Sequence, residues 1–407
     1  MIAPDGGKQA WIVLAGAFTL TFVYSGLPYS FGVFQAAFTK TDLASTPVLV
    51  ILGTLPLFVL AITCIPAHAM AERFGNRNTA VVGALIVSLS QLFAGFAVSN
   101  LTALFILFGP VQGIGSACIY LSTVPLLSQY FEKRRGLATG LCYSAAGIGG
   151  AALSVLQSHL IETYSIKWAY HVVGLLSLIV CVPTAFLMHP LEGRRRPINQ
   201  RRLLDSTVFG SVPFVLVCCA AAIVAFTLFT PSFFLATYAE SIGYSPNTGA
   251  QLSMGYNLAS ALGRILFGVL ADRLLGEMNA LIFSVLLSGI SCLTVWPFAT
   301  SLPPLAFFAV ISGMACGSWF ALIPGTCAAL LGNWLVGSAL AWQELFGSVG
   351  YLLGGPVAGM ILDAAGGVSE GAKAFRPAIF YSGSCTLFAG VLIVAGRLLY
   401  STKMHRL

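Results

Sequence analysis

Long apolar runs fill the chain, cut by short stretches that carry charge, glycine or proline. A helix needs about 20 mostly apolar residues to cross a hydrocarbon core. Twelve runs of that size are predicted, at 11–35, 47–69, 79–98, 101–127, 137–159, 168–188, 209–236, 249–271, 280–298, 303–327, 336–360 and 378–400. Lipid offers no hydrogen bonds to an exposed backbone, so each run must close its own ladder as a helix. The predicted class is an all-α integral membrane protein. The end of the tenth run is the faintest, because Pro324 and an uncharged stretch at 320–340 blur it.

Composition narrows the choice. Only 8% of the 407 residues are charged and 57% are apolar, whereas a soluble domain carries about 25% charged residues. A soluble enzyme, a nucleic-acid binder and a disordered chain are excluded. The ten cysteines fall within apolar runs and lack metal-ligand spacing, and adjacent Cys218 and Cys219 form no redox motif. They read as small membrane-embedded hydrophobes. No metal and no cofactor are expected. No phosphate-cradling G-x-x-x-x-G-K-[ST] loop occurs, so nucleotide is not the expected energy source.

The basic residues are uneven. One set of loops and tails holds Lys8, Arg73, Arg77, Lys133, Arg134, Arg135, Arg194, Arg195, Arg196, Arg201, Arg202, Arg273, Arg397, Lys403 and Arg406. The other holds only Lys40, Lys167, Lys373 and Arg376. The positive-inside rule then puts both termini in the cytoplasm. It also accounts for the net charge of +7, helped by attraction of the Arg194–Arg196 cluster to anionic lipid rather than to nucleic acid. The plasma membrane is the expected location.

The second half echoes the first at an offset of two hundred. Glu72-Arg73 follows the second run and Asp272-Arg273 the eighth, and Gly147 and Gly150 fall opposite Gly347 and Gly350. The expected organisation is a six-helix bundle over 1–188, a basic linker over 189–206 and a second six-helix bundle over 207–407. Two pseudo-symmetric bundles with a site at mid-membrane between them make a transporter architecture.

Five segments carry a family resemblance. His68 through Arg77 and Gly268 through Gly276 resemble the G-x-x-x-D-R-x-G-x-R signature of the major facilitator superfamily, the first with His68 and Glu72 in place of Gly and Asp, the second with its Gly one position late. Asp5-Gly6-Gly7-Lys8-Gln9-Ala10-Trp11 resembles the opening of monocarboxylate-transporter-like porters of the fungal type. Tyr130 through Gly140, containing Lys133-Arg134-Arg135-Gly136, is similar to that family's loop between spans four and five. Asn257 through Asp272 is similar to its eighth span. The resemblance implies alternating access by rocking of the two bundles, with Glu72, Arg73, Arg77, Asp272, Arg273, Lys133, Arg134 and Arg135 as gating residues. From the residues alone, an acid at one helix end can latch a neighbouring helix N-terminus. Gly136, Gly140, Ser144 and Gly147 give the fifth run a small-residue face suited to close helix approach.

An ionisable residue inside a span is a functional hypothesis by default. Arg264 and Glu344 are two, at similar depth in the eighth and eleventh runs. Arg264 is expected to grip a carboxylate. Glu344 is expected to be its resting partner or a proton acceptor; a fixed ion pair is the structural alternative. Tyr29, Asn257, Tyr143, Tyr256, Trp319 and Gln343 add rings and hydrogen bonds within the spans, as does Tyr120, and together favour a larger or aromatic acid over lactate. Against the family, Tyr29 stands where animal members carry Lys, Ser260 where they carry Asp, and Gly109 where many proton-coupled facilitators carry Arg. Symport by the animal mechanism is thereby put in doubt.

The function expected is secondary active or facilitative transport of a small carboxylate-bearing solute by a monomer, with protons as the candidate coupling ion. The alternative is export of a specialised metabolite made by neighbouring biosynthetic enzymes. A membrane enzyme would need a converging catalytic set, yet His68, His159, His171, His189 and His405 lack H-E-x-x-H spacing and no G-x-S-x-G occurs. A transporter-like receptor is expected to carry a long signalling tail, which residues 401–407 do not supply.

Overall fold

The computed structural model describes residues 5, 7–41, 43–44, 46–191 and 206–401. Twelve helical segments cross in alternation: span 1 Lys8–Lys40, span 2 Val48–Phe74, span 3 Asn76–Ala94, span 4 Leu101–Tyr130, span 5 Arg135–Thr163, span 6 Ile166–Ala185, span 7 Val212–Ser241, span 9 Glu277–Phe298, span 10 Leu302–Leu331, span 11 Val336–Ala364 and span 12 Ala372–Tyr400, with span 8 at Pro246–Leu270. Eleven are long and apolar enough to cross by composition alone. The exception is span 8, whose Asn247, Gln251, Asn257 and Arg264 lower its hydropathy. It is the helix that brings positive charge to the centre. The Arg194–Arg196 and Arg201–Arg202 cluster, most of the 189–206 linker, and Lys403 and Arg406 lie outside the described residues.

Local chemistry sets the helix ends. The side chains of Asn100, Ser165, Ser211 and Ser245 cap their helices by accepting the N–H three residues on, as short polar caps do. On the basic face the turns into spans 3, 9 and 11 pass through Gly75, Gly276 and Gly332, all with φ between +81° and +87°, a conformation that glycine adopts without a Cβ penalty. Span 8 ends in a π-helical turn, Ala271–Leu275. That turn absorbs one extra residue. It explains why the second signature copy has its glycine one position late while Gly276 still makes the same turn as Gly75.

Spans 1 and 7, two hundred residues apart, are both interrupted at mid-length. Span 1 changes helix at Ser25, and span 7 between Thr227 and Thr230. The breaks place Tyr24, Ser25, Tyr29 and Phe229 around the centre of the protein. Within the first half, span 3 packs on spans 4 and 6, span 2 on span 4, and span 1 on span 5; in the second, span 8 packs on span 10, span 9 on spans 10 and 12, and span 7 on spans 11 and 12. Span 5 against span 8, and span 2 against span 11, make the main contacts between halves.

The core shows where the halves join. One large apolar cluster draws on both halves. Toward the face opposite the basic one, each half has a cluster of its own: Phe34 stacked on Tyr170 at 3.9 Å in the first, Trp296 on Phe308 at 4.7 Å in the second. Spans 5 and 8 repeat the pattern. Gly136 meets Gly268 backbone to backbone, Gly140 meets Arg264, and Gly147 meets Ala261. A Cβ at Gly136 or Gly140 would overlap the backbone of the facing helix, but one at Gly147 would come only within 3.2 Å of it. The helices therefore join at the basic face and part toward the other.

Candidate functional site

Arg264 is carried on the cavity-facing side of span 8. It is 2% exposed. Its Nη1 donates to the backbone carbonyl of Tyr143 in span 5, and its Nη2 donates to the Tyr29 hydroxyl of span 1 at 3.2 Å. The guanidinium carbon lies 5.6 Å from the Phe320 ring centre and 5.9 Å from that of Tyr29, within reach of a cation–π attraction. Its Nε is buried without a hydrogen-bond partner. Buried donors are nearly always satisfied, and the described residues give this one no acceptor.

Glu344 of span 11 is 7% exposed. Its Oε1 accepts from the Tyr120 hydroxyl of span 4 at 3.3 Å, and the Tyr351 hydroxyl, two turns on, also bonds the carboxyl. Both charged residues line one cavity of about 60 Å³, together with Tyr24, Ser25, Tyr29, Leu57, Leu60, Tyr120, Tyr143, Ala146, Phe229, Phe320 and Tyr351. That space holds about four waters. Among the described residues no ion pair joins Arg264 to Glu344. Two opposite charges thus stand apart in one low-dielectric space, where each would bind a complementary group far more strongly than in water.

Five of the nine residues singled out for binding come together here: Arg264, Glu344, Tyr29, Tyr120 and Tyr143. Asn257 shares the face of Arg264 two turns along, and its carbonyl lies beside Gly147. Tyr256 is buried in the second half's own cluster. Trp319 lines a separate crevice with Val224, Val285 and Thr386. Gln343 is buried with its Nε2 unpartnered. Tyr24, Phe229, Phe320 and Tyr351 were not anticipated. Two of them had a signal in the repeat, because Phe229 and Phe320 stand two hundred residues from Tyr29 and Tyr120, and all four rings line the cavity.

The basic face holds the second group of residues. Asp272 accepts the N–H groups of Gly136 and Leu137, each at 2.8 Å, capping span 5 from the other half. Asp5 accepts those of Glu132, Lys133 and Arg134 at 2.8 to 2.9 Å. Arg135 donates to Asn333 Oδ1 at 2.7 Å, again across the halves. His68 Nε2 and Ser338 Oγ are 3.0 Å apart. Arg77 lies over the Phe186 ring at 4.8 Å and Arg73 over Phe74 at 5.4 Å. Glu72 and Arg73 line a polar cleft of about 390 Å³ with His68, Asn76, Gln129, Asn333 and Trp334. Arg273 sits in the π-helical turn beside Asp272.

Comparison with known proteins supplies the context. The Major Facilitator Superfamily profile matches residues 10–249 and 215–405. The chain is 27% identical over 409 residues to the aspyridones efflux protein apdF of Emericella nidulans, covering 97% of this chain and 79% of that protein. It is 28% identical over 375 residues to monocarboxylate transporter 13 of Rattus norvegicus, covering 89% and 84%. Among solved structures it is similar to the transporter FucP in the outward conformation, with a TM-score of 0.71 at 15% identity, covering 96% and 99% of the two chains. At that identity the likeness is one of fold.

Proposed function

The chain belongs to the Major Facilitator Superfamily, and from that premise we propose that it transports a small organic anion, one bearing a carboxylate or an equally acidic group. Halves at 1–188 and 207–407, joined by the 189–206 linker, would rock against each other and expose the central cavity to each side in turn. The observation that carries the reading is the buried Arg264 guanidinium, lining that cavity with an unpartnered Nε. The experiment is uptake of labelled organic acids into proteoliposomes. Arg264→Gln protein that folds and still transports at the normal rate sinks the anion grip.

Glu344 supports a proton-coupled form of this transport. Facing it are Tyr120 of span 4, Tyr24 of span 1, Cys64 of span 2, Tyr143 of span 5, Cys327 of span 10 and Tyr351 on its own helix. Arg264 is the cation lining the same space. With Glu344 ionised the cavity is neutral. An incoming anion then leaves one uncompensated negative charge, which is costly away from water, and a proton on Glu344 removes it. Uptake at two pH values tests this. A flat profile, or a pH dependence that survives Glu344→Gln, ends the coupling role.

Export of a specialised metabolite is the second direction for the same machine, supported by the likeness to a fungal protein named for efflux of aspyridones. A facilitator runs down whichever gradient it meets, so direction is a property of the cell. The basic face is assigned to the cytoplasm by the positive-inside rule, and the plasma membrane is the proposed location.

A further inference from the structure

The cavity has an uneven chemistry that goes beyond anion binding. Two of the guanidinium's five N–H donors are held by Tyr143 and Tyr29, and its Nε is free. Rings of Tyr29 and Phe320 flank this head group. Glu344 lines the same space from another helix, held by the Tyr120 hydroxyl at 3.3 Å, and is not ion-paired to Arg264. The wall between them is mostly aromatic: Tyr351 stands 6.4 Å from Phe229, and Tyr143 stands 6.2 Å from Phe320.

A short aliphatic acid satisfies only part of this. It can occupy Arg264, yet it leaves the ring faces without a flat partner and adds no donor to Glu344 beyond the Tyr120 and Tyr351 hydroxyls. A solute that meets all three needs an acidic oxygen at one end, a planar conjugated body, and a hydroxyl or N–H at the other end. Flat rings gain from offset stacking and edge contacts with aromatic walls. A site built to accept a donor rejects analogues that lack it far more strongly than an apolar wall rejects a missing methylene. The space as it stands is smaller than such a ring, so the body enters as spans 5 and 8 part further on the side away from the basic face, where their contact already loosens at Gly147.

We infer that the solute is a hydroxylated (or N–H-bearing) aromatic or conjugated acid, its acidic group on Arg264 and its far donor on Glu344, rather than a short aliphatic monocarboxylate. This rests on the anion-transport reading above. The test uses purified full-length protein in lipid nanodiscs, with binding measured by calorimetry for 4-hydroxybenzoate, benzoate and lactate. The expected order is 4-hydroxybenzoate at least tenfold tighter than benzoate, with lactate unable to compete. Glu344→Gln should narrow the gap between the first two to about twofold.

Equal binding of 4-hydroxybenzoate and benzoate overturns the inference, as does lactate matching either, or no binding by any probe. If the anions bind alike and all lose affinity in Arg264→Gln, the inference falls and the anion reading stands. If binding ignores Arg264→Gln, both fall. The wild-type order alone decides the matter should the Glu344 variant fail to fold.

Discussion

Asp272, from the second half of the chain, caps the N-terminus of span 5 in the first by accepting the Gly136 N–H at 2.8 Å. Directly beneath that bond Gly136 and Gly268 touch backbone to backbone. The repeat supplies a second copy of the contact: His68 and Gly337 stand two hundred residues from Gly268 and Leu137, and the His68 ring packs on Gly337 and pairs with Ser338 at 3.0 Å. One joint between the halves is built from bare backbone and a carboxylate, the other from an imidazole and a hydroxyl. Both close the basic face.

The glycine joint should tolerate no side chain. A Cβ on Gly268 would run into the Gly136 carbonyl, and one on Gly136 into the Gly268 carbonyl. No rotamer change relieves overlap with backbone. Gly268→Ala is expected to hold the basic face apart and cut transport at least tenfold, with the amount of folded protein within twofold of normal. An alkylating probe applied from the basic side should then reach the cavity. Wild-type transport by this variant would mean that the helices do not close here.

Two acids on neighbouring turns should answer acid in opposite senses. Burial pulls the Asp5 carboxyl upward, but the N–H groups of Lys133, Arg134 and Glu132 and the Lys133 charge outweigh it, leaving it below its ordinary 3.8. Its stabilising contribution is present above that pH and lost as pH falls through the lowered value. For Asp272, burial dominates over the N–H groups of Leu137 and Gly136 and the Arg135 charge, raising it above 3.8. Its contribution to closure is then full below 3.8 and declines as pH rises through the raised value, so acidification tightens that latch. Between pH 7 and 4, closure read by cavity alkylation should hold or strengthen. The Asp5 strap should protect Lys8 from trypsin at pH 7, and Asp5→Asn should expose it there.

Much of this was legible because lipid is an unforgiving solvent. Twelve crossings follow from the need to hide the backbone, and Arg264 and Glu344 stood out because charge inside a span is costly. Helix phase was harder to read. Successive residues on a helix are 100° apart, so Trp319 points away from the cavity that its neighbour Phe320 lines, and Gln343 away from the cavity lined by Glu344. Tyr256, eight residues from Arg264, is turned into the second bundle. Tyr351 could have been placed, since seven residues keep it on the face of Glu344. Tyr24 could not, because the break at Ser25 resets the phase of span 1. Asp5 was visible only as part of a motif; its three N–H partners are separated from it by four crossings.

Tyr29 offers a graded test of how the guanidinium is held. Tyr29→Phe keeps the ring beside Arg264 and removes the 3.2 Å hydroxyl contact to Nη2. A hydrogen bond to a charged group is worth about 1.5–3 kcal/mol, but a water or the solute can replace this one. The expected result is a rise in KM of roughly fivefold to tenfold, below what that range alone would give because the contact can be replaced, with the maximal rate within twofold. A fall in maximal rate at unchanged KM would instead assign the hydroxyl to the conformational step.

Arg264→Lys separates charge from shape. Lysine keeps the positive charge but has one ammonium, so it cannot hold the Tyr143 carbonyl and the Tyr29 hydroxyl and still present a planar fork to an acid. It also loses the flat face that lies near Phe320 at 5.6 Å. If the planar donor set is what recognises the solute, Arg264→Lys should lose transport at least fiftyfold, nearly as much as Arg264→Gln, while melting within a few degrees of the parent protein. Uptake of a saturating acid by Arg264→Lys within threefold of normal would show that positive charge alone suffices. In that case the contacts to Tyr143 and Tyr29 serve only to park the side chain, and the aromatic walls rather than the guanidinium would have to account for selection.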